Sequence, residues 1–155
     1  LQIKLYKKIF DENLNKKFKF YFYLGPGIKK SNKYFYEKNK NIFFFNKYEE
    51  IKKLTKSVFL TICNGGNAMF EMLHLNIPCL TIPSNSTEKT NINFFEKKKI
   101  AIKYKNDKSL NEQITFFLNN KRKKIFDKNC KKYFGKIMPE KILEKAFLKI
   151  ENYER

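Results

Sequence analysis

Apolar residues in this chain fall into two kinds of pattern. Short runs rich in Phe, Tyr and Ile occupy residues 18–24, 42–45, 58–63, 78–82 and 100–104. The run at 58–63 shows no polar alternation, as expected of a parallel strand buried on both faces. Between and after these runs, apolar residues recur at helical intervals over 31–40, 48–56, 67–75, 90–99, 109–118, 121–134 and 139–153. Strands alternating with helices predict an α/β fold, a Rossmann-like parallel sheet of about five strands with helices on both faces. Residues 1–17 read as a linker or short helix, with Ile3, Tyr6, Ile9 and Phe10 as its apolar stripe. A preceding domain would attach there, and residues 18–155 form the domain proper. The absence of an initiator Met at Leu1 fits a piece of a longer protein.

Residues 58–83 are the part of the pattern with chemical content: strand, Asn64-Gly65-Gly66, a helix from Asn67, then a second strand closed by Pro83. A parallel crossover of this kind puts the helix N-terminus at the carboxyl edge of the sheet, where open α/β folds bind ligands. Glycines there let backbone approach a ligand, and the first helix amides suit a phosphate or pyrophosphate. Glu71, four residues after Asn67, lies about 6 Å further along the helix at ~1.5 Å per residue. At that distance its carboxylate can accept hydrogen bonds from ribose hydroxyls without touching the phosphate. Ala68, Met72 and Leu75 are expected to pack on the sheet. Gly25 and Gly27 follow the first strand as a second candidate ligand loop, with a plain turn as the alternative. These two loops hold four of the five glycines.

The 58–83 segment resembles the donor-binding region in the C-terminal domain of GT-B-fold sugar-nucleotide enzymes. Gly65, Gly66, Glu71, Ile77, Pro78, Ile82 and Pro83 match a pattern of the form xGGxxxxE followed by xxIPxLxIP. The nearest in kind are the UDP-sugar hydrolases of pseudaminic-acid synthesis, their spore-coat polysaccharide homologues, and the lipid-II-forming N-acetylglucosaminyltransferases. The resemblance implies a UDP-sugar donor, with ribose on Glu71 and diphosphate on the amides of Gly66 and Asn67, beside Asn64. It also implies a nucleotide base near residues 46–48, and a missing N-terminal domain holding the catalytic base and acceptor. The polar loop 84–91 stands where the family has E-H-Q-x-x-N-A. Asn91 matches, Glu88 takes the Gln position, and no His is present. Helix capping by Ser86 or Thr87 would explain the same residues. Asn76 replaces a usual glycine before the Ile-Pro pair, and Asn is the next choice for a left-handed helix cap. The final helix, with Ile142, Phe147 and Ile150, would cross back to the N-terminal domain.

Composition changes this picture little. The formal charge is +19, which attracts anions generally. The lysines are spread along the chain, so no specific nucleic-acid partner is expected. A basic nucleic-acid-binding α/β domain stays open as an alternative, as does a sugar-nucleotide-binding module without activity. The run Lys121-Arg122-Lys123-Lys124 reads as a solvated face, or as a peripheral contact with an anionic membrane. Cys63, Cys79 and Cys130 are spaced for neither a metal site nor a disulfide framework, which fits the reducing cytoplasm. No metal or cofactor is expected, and no run of about 18 apolar residues is present. His74, the single histidine, lies a turn beyond Glu71 and reads as structural.

Overall fold

A computed structural model describes residues 2–23, 40–45, 50 and 53–135. Residues 31–39 and 139–153 of the expected helices, residues 48, 49, 51 and 52 of that at 48–56, the Gly25 and Gly27 loop and residues 46–48 lie outside the described residues. The chain divides into two compact units, 1–58 with 105–115, and 59–104 with 116–155.

In the first unit, helix α1 (Gln2–Asp11) precedes a short 3-10 turn (Leu14–Lys16) and strands β1 (Phe20–Tyr23) and β2 (Ile42–Phe45). The two strands pair in parallel with Phe20 opposite Ile42 and Tyr23 opposite Phe45. Leu5, Tyr6 and Ile9 of α1 are buried with Leu14, Phe22 and Ile42. The Tyr6 ring meets Phe22 and Phe44 at 5.9 and 6.0 Å between centroids. Residues 2–11 therefore form a short helix built into the core of the first unit. Leu5 joins the stripe read from the sequence, while Phe10 is only half-buried.

The second unit carries β3 (Thr61–Cys63), α2 (Asn67–His74), β4 (Cys79–Thr81), α3 (Ser86–Lys97), β5 (Ala101–Lys103) and α5 (Asn120–Phe134). Helix α4 (Leu110–Leu118) precedes α5, with its first turns in the first unit. All three strands run parallel in the order β3-β4-β5. Every residue of the central strand β4 is buried. Within it the Thr81 hydroxyl donates to the carbonyl of Ile102 at 2.9 Å, so the one polar side chain of β4 is satisfied across the ladder.

The expected α/β architecture of parallel strands and helices is present, with one difference. Among the described residues, the five strands are hydrogen-bonded as a pair and a triplet rather than as one ladder. The run starting at Val58 contributes only Thr61–Cys63 to its strand; Val58 is half-buried and Phe59 is 43 % exposed. Helix α2 also turns differently from expectation. Met69, Met72 and Leu73 are buried, whereas Ala68 is exposed and Leu75 is 51 % exposed. Met72 is buried as expected, but Met69 and Leu73, not Ala68 and Leu75, are buried with it. In α4, Leu110 and Ile114 are buried while Leu118 is 49 % exposed.

Candidate functional site

Strand β3 ends at Cys63, and Asn64, Gly65 and Gly66 turn the chain into α2. Gly66 is the N-cap, in extended backbone at φ −100° and ψ −153°, and no side chain caps this end. The amides of a first helical turn have no acceptor inside the helix, and the positive end of the dipole adds to their preference for an anion. Glu71 follows one turn later on the exposed side of α2. It is not buried in the interior, the placement that would have removed it from any ligand.

The far end of α2 shows why the chain can return directly into β4. Asn76 takes the left-handed conformation at φ 60°. Its N–H donates to Leu73 at 3.0 Å, and the N–H of Ile77 donates to Met72 at 2.8 Å. These are the paired bonds of a Schellman cap, in which Asn76 does what glycine would do. Buried Met72 and Ile77 provide the accompanying apolar residues. His74 is exposed, its ring edge-on to Phe134 at 6.4 Å.

The loop after β4 closes over the first glycine. Helix α3 begins at Ser86, four residues before its expected start, because Asn85 is its N-cap and accepts from the N–H of Glu88 at 2.9 Å. Neither Ser86 nor Thr87 is the cap. The Glu88 carboxylate turns back one residue further. Its Oε2 accepts from the N–H of Ser84 at 2.7 Å and from the Ser84 hydroxyl at 2.6 Å. These bonds hold the Glu88 carboxyl below its ordinary range, the hydroxyl having the largest effect. The Asn64 amide reaches the Ser84 hydroxyl at 3.4 Å, joining the β3 loop to the β4 loop.

A second link crosses from α3 to the glycines: the Asn91 amide donates to the carbonyl of Gly65 at 3.0 Å. Gly65 is buried, and a methyl group on it would lie 2.5 Å from the Glu88 carbonyl and 2.8 Å from Ile92 Cγ1. What comes close to Gly65 is α3, not open space. A methyl group on Gly66 would lie 3.3 Å from Glu88 Oε1. The structure therefore brings Asn64, Gly65, Gly66, Asn67, Glu88 and Asn91 together at the carboxyl ends of β3 and β4. Glu71 stands one turn along α2.

Ser84 and Asn85 are the residues that motif reasoning passed over. The Asn85-x-x-Glu88 spacing of a capping box was the available signal. The cysteines take no part in the site. All three are free and buried. The Cys130 thiol donates to the carbonyl of Leu73 at 2.9 Å, and burial, with Asp127 nearby, pushes it up to about 11. Among the described residues no helix is long and apolar enough to cross a membrane.

Comparison with curated proteins returns no match. Residues 3–144 match the model of the family described as "Glycosyltransferase family 28 C-terminal domain". That span includes both glycine loops of the sequence, the five strands of the described residues and the whole 64–91 cluster. By a match over most of its length, the chain belongs to the glycosyltransferase family 28 C-terminal domain family.

Proposed function

We propose that the chain is the UDP-sugar-binding half of a GT-B glycosyltransferase, with the amides of Gly66 and Asn67 on the diphosphate and Glu71 on the uridine ribose. The observation that carries this reading is an exposed carboxylate one turn beyond a helix end that no side chain caps. Glu88, Asn64 and Asn91 shape the wall that faces the donor sugar. Gly25 and Gly27, the other candidate ligand loop, lie outside the described residues. Residues 18–155 serve as the nucleotide-sugar-binding domain.

Preorganised amides and a helix dipole would stabilise the leaving diphosphate as its charge develops. An N-terminal partner domain would supply the base and the acceptor. If the acceptor were water, the same half would serve a UDP-sugar hydrolase of surface-polysaccharide synthesis. The exposed residues Lys121, Arg122, Lys123 and Lys124 would meet anionic headgroups at a membrane face.

Calorimetric titration with UDP, CDP and a short DNA duplex tests the reading. UDP is expected to saturate a single site, with Glu71→Ala losing at least tenfold in affinity (~1.4 kcal/mol) and His74→Ala unchanged. Binding of DNA alone, weakening steeply with salt, would overturn it.

A further inference from the structure

We propose that Glu88 is a charge filter at the rim of the diphosphate cradle, favouring a diphosphate esterified with a sugar over the free nucleoside diphosphate. This rests on the donor-site reading above and deepens it. The inference comes from how the two carboxylate oxygens are used. Oε2 is fixed by the N–H and hydroxyl of Ser84. Oε1 is directed at Gly66, where an added methyl group would sit only 3.3 Å away. The rigid hold on one oxygen keeps the other beside the N-cap of α2. The capping bond from the Glu88 N–H to Asn85 fixes the backbone beneath it. The Ser84 bonds also keep the group ionised, since they favour the carboxylate.

A fixed negative charge at this place lowers the affinity of any phosphate, but not of all phosphates equally. The terminal phosphate of a free diphosphate takes a second charge near pH 7, with a pKa around 6. A sugar ester at that oxygen removes it. Repulsion from Glu88 is therefore larger for free UDP than for the UDP-sugar. Glutamine at the same position would keep an acceptor for Ser84 but lose the charge, so geometry and charge can be separated by one substitution.

The test is titration of wild type, Glu88→Gln and Glu88→Ala with UDP, UDP-N-acetylglucosamine and uridine, with thermal melts showing each protein folded. Glu88→Gln is expected to tighten UDP about three- to tenfold, the size of one exposed charge–charge interaction at close range. It is expected to tighten the UDP-sugar less and to leave uridine unchanged. The gain should shrink towards 1 M salt, where the screening length is about 3 Å; a new hydrogen bond from the glutamine amide would survive. Equal shifts for all three ligands, a salt-insensitive gain, or weaker UDP binding in Glu88→Gln would overturn the charge filter while leaving the donor site standing. Folded proteins that bind UDP in none of the three forms would overturn the donor-site reading, and the filter with it.

Discussion

Gly65 shows how one residue serves packing at the foot of a ligand site. Its side carries no Cβ because the carbonyl of Glu88 and the side chain of Ile92 occupy that place. Neither Gly65 nor Gly66 takes a positive φ, so their value here is close approach rather than an unusual turn. Gly65→Ala must push α3 away from the β3 loop, which costs about 1–3 kcal/mol. A urea denaturation midpoint lowered by that amount is the expected result, while an unchanged midpoint would show that α3 yields without cost. The glycine pair was plain in the sequence, but its reason was not. Local spacing suggested ligand approach, whereas the atom that excludes a side chain belongs to a residue 23 positions further along. The partners of Glu88 were hidden for the opposite reason. The capping-box spacing from Asn85 was local and legible, and the polar loop drew the reading towards the ligand instead.

Helix ends account for much of the precision with which these elements are placed. Helix α3 finishes as α2 does, with Lys99 at φ 59°. The N–H of Lys99 donates to Glu96 at 2.9 Å and that of Ile100 to Phe95 at 3.1 Å. Buried Phe95 and Ile100 pack as the Schellman pair. Lysine is a poor residue for this conformation, since its Cβ crowds the backbone. Lys99→Gly should stabilise the protein by about 0.5–1 kcal/mol, the strain relieved being offset in part by the greater freedom of glycine when unfolded. Thermal melts would check it, and a lowered midpoint would contradict it. Helix α4 was legible in the sequence: expected at 109–118, it runs Leu110–Leu118 behind a reciprocal Ser109 and Glu112 pair. Strand lengths were harder. The apolar run at 58–63 marks where chain is dry or aromatic, but only the pairing partner decides which residues join the ladder. Here β4 offers Cys79, Leu80 and Thr81, and β3 is cut to match.

At the scale of the whole molecule, chain order and spatial order part company. The Glu12 carboxylate accepts from the N–H groups of Leu110 and Asn111 at 2.9 and 2.8 Å, one oxygen to each. A residue from the start of the chain thus closes the first turn of α4, where negative charge is favoured. Gln113 completes the joint by accepting from the N–H of Lys105 at 2.7 Å and donating to its carbonyl at 2.9 Å. Glu12→Ala is expected to cost about 1–2 kcal/mol, read as a lower denaturation midpoint; no loss would show that water replaces the cap. Nothing in the local sequence could announce this pairing, because the partners lie 98 and 99 positions apart. The consequence concerns birth rather than stability. A nascent polypeptide leaves the ribosome from its amino end, so Glu12 emerges long before the amides it will hold. The first unit stays unfinished until residues 105–115 have been translated, and the intervening segment, with its own strands, can be folding while it waits.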